Sequence, residues 1–257
     1  MNMFTKNSQG ETRPSLPAEA RRGRGRPRGP TEQGVAARQQ LYKTAIKLIA
    51  SHGYEKTTLR DIARKADVSV GLLYRYFPSK RAVVLALYDE LSSEYAARAS
   101  QMRSGTWRER FFFALKASLG VLGPQRDTLA ALLPVLVGDD HEGLFAPATG
   151  FSRERVQSVF RDAVSGATDA LALEDDSAAL GRVLYVIHLA LILWWLIDKS
   201  PNQRTTTGLV ATLERVMPAA SLALRFKPAR AWLRMADALC REGLFGGEDA
   251  RRTEPCP

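Results

Sequence analysis

The sequence predicts an all-α protein in two parts, an N-terminal three-helix domain containing a helix-turn-helix and a larger C-terminal helical domain. Three observations predict it. Apolar residues recur at helical spacing along most of the 257-residue chain, and no stretch alternates apolar with polar as a half-buried strand requires. Between residues 58 and 80 two short helical patterns meet across a tight turn, the arrangement that places a second helix in a DNA major groove. The formal net charge of +10 is confined to one end: residues 1–80 hold 16 Lys/Arg against 6 Asp/Glu, and residues 81–257 hold 21 against 21. That asymmetry is expected when one module meets a polyphosphate and the other does not; a solvated basic tail is the alternative.

Taken in order, residues 1–33 are polar, rich in Pro, Gly and Arg, and without apolar periodicity, so they are expected to be disordered in isolation. Within them Arg21-Arg22-Gly23-Arg24-Gly25-Arg26-Pro27-Arg28-Gly29 resembles an AT-hook, with Arg24 and Arg26 as candidates for a narrow A/T-rich minor groove. A nonspecific basic tether is the other reading. Residues 34–80 form the helix-turn-helix domain. Its first helix, Val35 to Ser51, carries Leu41, Ala45, Leu48 and Ile49 on one face and is terminated by Gly53.

The second helix opens at Thr58, an N-cap, with Asp61 in its first turn and Leu59, Ile62, Ala63 and Ala66 as one buried stripe. After the turn Asp67-Val68-Ser69, Ser69 caps a third helix. Val68, Leu73 and Phe77 pack back, which leaves Val70, Gly71, Leu72, Tyr74, Arg75 and Tyr76 outward. Two tyrosines, Leu and Val beside Arg on one short helix imply something to touch. Gly71 permits close approach to the groove floor, and Val70 or Leu72 suits a thymine methyl. Arg75 suits guanine or, equally, a phosphate. Thr58, at a helix N-terminus, offers a hydroxyl to a phosphate.

Residues 81–246 form the second domain, and 247–257 a disordered tail. Ser79 caps a long helix reaching about Met102, and two helices follow around Trp107–Val121 and Gln125–Val137. Asp139–Gly150 reads as a loop. Helices then cover Ser152–Leu171, Ser177–Lys199 and Thr205–Phe226, the last kinked at Pro218, with Ala231–Leu244 as a terminal addition. Val183–Ile197 is the longest apolar run; at fifteen residues interrupted by His188, it is expected to fall short of a membrane span and to form the domain's centre. Cys240 and Cys256 are too few to staple a fold of this size, and no N-terminal apolar run suggests a signal, so the cytoplasm is the expected compartment.

The stretch from Gln39 to Leu87 resembles the DNA-binding domain of TetR-family transcriptional regulators. His52-Gly53-Tyr54, Thr57-Thr58, Ile62-Ala63 and Val68-Ser69 lead into Leu73-Tyr74-Arg75-Tyr76-Phe77-Pro78-Ser79-Lys80, close to that family's signature. One departure is Asp67, where the family usually has Gly; Asp tolerates a left-handed backbone better than most residues. The resemblance implies that Tyr74, Tyr76 and Lys80 contact phosphates, with Ser69 beside them at the start of the reading helix. It also implies a homodimer on a pseudo-palindromic operator of double-stranded DNA, joined through the last two long helices. Along the second of these Leu209, Leu213, Val216, Ala220 and Leu224 form one stripe, for which purely intramolecular core is the alternative.

By the same resemblance a small, largely apolar effector enters the C-terminal domain, moves the linker helix and lowers DNA affinity, making the chain a repressor. Trp107, Phe112, Leu133, Phe145, Phe160, Tyr185, His188 and Trp194 are the candidates to line its cavity, each weighed against plain core packing. Catalysis is not expected, since there is no Gly-rich phosphate loop and no nucleophile elbow. His52, His141 and His188 lack ligand spacing, so no metal and no cofactor are expected. The rival readings are an architectural A/T-binding protein without an effector and, more remotely, an enzyme using the helical bundle.

Overall fold

The computed structural model of the chain describes residues 32–141 and 143–245, so Arg24, Arg26, the rest of the basic arm to residue 31 and the tail 247–257 lie outside the described residues. Among the described residues there are eleven α-helices and no strand. The first four are α1 (Glu32–His52), α2 (Leu59–Lys65), α3 (Val70–Tyr76) and α4 (Lys80–Ala99). The second domain adds α5 (Trp107–Leu122), α6 (Arg126–Ala131), α7 (Leu133–Gly138), α8 (Gly150–Ser165), α9 (Glu174–Ile197), α10 (Arg204–Ala223) and α11 (Lys227–Phe245).

Each boundary of the N-terminal domain has a local cause. Helix α1 starts three residues earlier than expected, with Glu32 in its first turn where the helix dipole favours an anion. It stops at Gly53, whose φ of 85° lets its amide turn back to the carbonyl of Ile49 at 2.9 Å. The buried Thr57 hydroxyl donates to Gly53 O at 2.8 Å and so pins the following loop. A capping box holds the start of α2: the Thr58 hydroxyl accepts from the Asp61 amide at 3.1 Å and donates to Asp61 Oδ2 at 2.6 Å. Asp67 adopts φ 54°, the left-handed conformation that the turn demands, and the Val68 amide then reaches Ala63 O at 3.0 Å. Ser69 and Ser79 cap α3 and α4 through the amides of Leu72 and Ala82.

The second domain departs from expectation where proline and glycine intervene. A single helix over Gln125–Val137 does not form: Pro134 brings no N–H, and the chain breaks at Leu132 into α6 and α7. Helix α8 ends at Ser165 with Gly166 as its cap, short of Leu171. Helix α4 ends at Ala99, three residues early. Pro218 sits inside α10, whose helical backbone runs unbroken from Arg204 to Ala223.

Helix α9 is longer than its apolar run because Glu174, Asp175 and Asp176 start it favourably at the dipole's positive end. With 24 residues it is, by length and composition alone, the one described helix that could cross a membrane. Here it packs against α8, α11, α5 and α6, and half of its most apolar window is buried. At its crossing with α8 the backbones approach closely: a Cβ on Gly181 would meet Arg161 Cα at 3.2 Å and Phe160 O at 3.3 Å.

Helix α11 is fastened to α9 by charge. Asp176, fully buried, receives Arg234 at 2.8 Å and Arg230 at 3.3 Å, while Asp237 receives Arg182 in a bidentate pair at 2.6 and 2.8 Å and Arg241 at 3.3 Å. The Arg126 guanidinium of α6 donates to the carbonyls of Trp195 (3.0 Å) and Asp198 (2.8 Å), satisfying the end of α9. One hydrophobic core runs from Leu41 and Ile49 in α1 through α4 to Phe160, Leu184 and Trp195. Helix α1 packs on α6, so the two domains meet at a second place besides α4.

Candidate nucleic-acid interface and buried cavity

Helix α3 presents the expected outward set in part. Val70, Gly71, Tyr74 and Arg75 are exposed, with 49% of Tyr74 accessible, and a Cβ on Gly71 would meet nothing within 4 Å. The Ser69 hydroxyl accepts from Leu72 N at 3.1 Å, which leaves its own hydrogen for an outside acceptor. Leu72 and Tyr76 differ from expectation. Both are half-buried, and Tyr76 packs against the core rather than standing clear of it. Leu73 and Phe77 face inward, as the spacing predicts, and Phe77 stacks on Tyr42 of α1 at 6.5 Å.

Lys80 and Thr58 are already engaged within the chain. The Lys80 ammonium donates to Tyr54 O at 2.8 Å and lies 4.2 Å over the Tyr54 ring. It is half-buried, and its anchoring fixes where the rest of its charge is presented. The Thr58 hydroxyl hydrogen goes to Asp61, so Thr58 serves here as a cap, and it is exposed. Hydrogen bonds from Thr58 hold the Asp61 carboxyl below its usual pKa, keeping the cap ionised. Arg60, Arg64 and Lys65 of α2 are exposed beside α3 and add to the positive face.

The second candidate site lies within the C-terminal domain, a pocket of about 120 Å³ walled by α4 to α9. Tyr88, Leu91 and Tyr95 of α4 form one wall, Tyr185, His188 and Ile192 of α9 another, and Ser118 and Arg153 join from α5 and α8. Of the expected lining residues, Tyr185 and His188 are there. Trp107, Phe112, Phe145 and Trp194 are not, and neither are Leu133 and Phe160. Trp107 and Phe112 fill the core beside Phe111; Phe160 backs the His188 ring at 4.9 Å. Phe145 meets Phe245 edge-on at 5.8 Å, and Trp194 lies 46% exposed on the outer face of α9.

His188 is the polar centre of this pocket. Its Nε2 and the Ser118 Oγ are 2.8 Å apart, and its ring stacks on Tyr95 at 6.0 Å with 5° between the planes. Burial without a compensating carboxylate holds its pKa down to about 3, so the imidazole is neutral at pH 7. Burial likewise raises the pKa of the Tyr95 and Tyr185 hydroxyls. His188 Nδ1 and the Tyr95 hydroxyl are buried without a hydrogen-bond partner among the described residues. Sequence reasoning passed over the α4 wall, although Tyr88, Leu91 and Tyr95 at i, i+3 and i+7 are a visible stripe. No group of three or more His, Cys, Asp or Glu suited to a metal occurs among the described residues.

On the outer side α9 and α10 expose Trp194, Ile197, Leu209 and Val216. Of the expected α10 stripe Ala220 is exposed too, Leu213 is half-buried, and Leu224 is buried. The stripe therefore divides between core and surface.

Known proteins resemble the chain in both halves. The family model for bacterial regulatory proteins of the tetR family matches residues 41–87. The HTH-type transcriptional repressor KstR of Rhodococcus jostii is 27% identical over 184 residues, covering 70% of this chain and 82% of that protein. The HTH-type transcriptional regulator HbdR of an Aromatoleum species is 34% identical over 92 residues, and there the match covers 35% of this chain and only 40% of the relative. In fold, the chain is similar to a tetR-family transcriptional regulator of Streptomyces coelicolor (TM-score 0.57, 22% identity, 79% of this chain and 90% of that one). A TetR transcriptional regulator of Nitrosomonas europaea aligns with a TM-score of 0.53 at 23% identity, over 73% of this chain and 99% of that one.

Proposed function

We propose that the chain is a DNA-binding transcriptional regulator of the TetR family, a repressor which leaves its operator when a small, largely apolar molecule fills the α4–α9 pocket. The observation that carries this reading is the course of α4. Its first residue, Lys80, is anchored against Tyr54 beside the reading helix, and its Tyr88, Leu91 and Tyr95 wall the pocket. A guest that fits one position of α4 better than another shifts the equilibrium between DNA-competent and DNA-incompetent forms by that difference in affinity.

On DNA, Val70, Gly71 and Arg75 read base edges while Tyr74, Lys80 and Ser69 grip phosphates. One α3 helix contacts too few base pairs for useful selectivity, so the functional unit is a cytoplasmic homodimer on an inverted repeat. The exposed apolar residues of α9 and α10 are the face that joins the copies. Two relatives named as repressors, KstR and the probable acrEF/envCD operon repressor of Escherichia coli, support the sign of regulation.

Selection of bound sequences from a random DNA pool at physiological salt tests the reading. An inverted repeat is expected, and recovery of A/T-rich sequence without symmetry would overturn the operator model. Tyr74→Ala combined with Lys80→Ala should weaken binding to all sequences about equally and flatten its dependence on salt; loss confined to one operator base would assign these side chains to readout instead.

A further inference from the structure

Resting on the reading of the α4–α9 pocket as the effector site, we propose that it takes a neutral, mostly apolar molecule bearing one hydroxyl group, which bridges the Tyr95 hydroxyl and His188 Nδ1. Leucine, isoleucine, valine and ring carbon make up most of the wall. Against that background two polar atoms stand buried without partners, on side chains 3% and 4% exposed whose rings lie parallel at 6.0 Å. Buried polar atoms are paired in almost all proteins, so two orphans on side chains that line one pocket point to a guest's polar atom reached by a small shift of those rings.

The hydrogen-bond logic selects the guest's chemistry. In the tautomer whose Nε2–H donates to Ser118, Nδ1 is an acceptor and Tyr95 the donor; in the other tautomer Nδ1–H donates and Tyr95 accepts, and a hydroxyl matches either arrangement. In the first it satisfies both at once, accepting from Tyr95 and donating to His188. A hydrocarbon satisfies neither. A carboxylate would be held against a neutral imidazole and desolvated by the apolar wall. Arg153, the only cation in the lining, directs its Nη1 to the carbonyls of Leu144 and Ala146, both at 3.2 Å. The space, about 120 Å³, is comparable to the engineered apolar cavity of ~150 Å³ that holds benzene, so one ring is the size that fits without rearrangement.

Calorimetric titration of the full chain with p-cresol, toluene and benzoate at pH 7.5 tests this, each ligand also being titrated into Tyr95→Phe. The expected order is p-cresol first, roughly tenfold ahead of toluene, the worth of one or two net hydrogen bonds, with benzoate weakest. Tyr95→Phe should cut the lead of p-cresol over toluene to within about threefold. Its affinity for toluene should not change, which shows that the pocket is intact. Equal affinity for p-cresol and toluene in the parent protein overturns the bridging hydroxyl. Benzoate binding tightest overturns it in favour of an anion paired with Arg153. Either of those results leaves the effector role of the pocket standing. Binding by none of the three, in protein that still selects its operator, overturns that role as well.

Discussion

Replacing His188 with Phe should change how stability depends on pH more than it changes stability at neutral pH. The ring is buried, stacked on Tyr95 with Phe160 tilted against it, and bonded to the Ser118 hydroxyl, with no carboxylate to receive a proton's charge. Burial takes its pKa from the ordinary 6.5 down to about 3. A basic group held below its unfolded pKa gives the unfolded chain the greater proton uptake. Its contribution is therefore complete above pH 6.5 and is lost progressively as pH falls towards 3. At ~1.4 kcal/mol per pH unit, the native state should lose about 2 kcal/mol between pH 6.5 and 5 through this one residue.

Thermal or urea unfolding of the parent and of His188→Phe from pH 7.5 to 5 isolates that loss, because every other ionisable side chain is common to the two proteins. The stability of His188→Phe relative to the parent should rise by about 2 kcal/mol, or roughly 4–8 °C in midpoint for a domain of this size, between pH 7.5 and 5. Any constant offset at pH 7.5 reports the unpartnered Ser118 and the change in packing. Parallel curves would refute the reasoning, since they would mean that the folded protein accepts the proton at His188 without penalty.

Substitutions at three further sites probe the fold. Asp67→Gly relieves a left-handed backbone at the helix-turn-helix corner and should raise stability by up to about 1 kcal/mol, whereas Asp67→Val should lower it by 1–2 kcal/mol or so; chemical denaturation of the pair decides, and the reverse order would remove the strain argument. Gly181→Ala forces a methyl into the α8–α9 crossing and should cost about 1–3 kcal/mol, with unchanged stability showing that the helices part freely. Asp237→Ala removes the carboxylate that receives Arg182 and Arg241. The loss should be about 2–3 kcal/mol, below that of a fully buried pair because both guanidinium groups are partly exposed. Limited proteolysis should then cut first in α11; cutting elsewhere would show that its apolar contacts alone hold it.

The helix-turn-helix was legible because its determinants are local. Thr58, Ser69 and Ser79 each cap a helix whose apolar residues follow within a turn, and Asp67 supplies the backbone conformation the corner needs. Lys80 was legible as a residue type but not as a contact, since its partner is a carbonyl 26 residues earlier. The pocket was the least legible part. Its polar centre joins Ser118 to His188 across 70 residues, a pairing that no local pattern encodes. Choosing the largest aromatics also misled: Trp107 and Phe112 are used to fill the core, while the tyrosines of α4 do the lining. Helix α9 was legible as the centre of the domain from its apolar run, while its acidic first turn, Glu174 to Asp176, adds length that apolarity alone does not mark.

Helix α4 has a geometric consequence of its own. From Tyr95 to Lys80 it runs without a break for about 22 Å at ~1.5 Å per residue. A tilt of about 5° pivoting at Tyr95 would carry Lys80 through roughly 2 Å, and two copies facing opposite ways on an inverted repeat would change their separation by about twice that, against a half-site spacing of ~34 Å. Such a rod needs no relay of rotamer changes along its length. If a guest displaces α4, the stiffness of a single helix sets how far its far end travels.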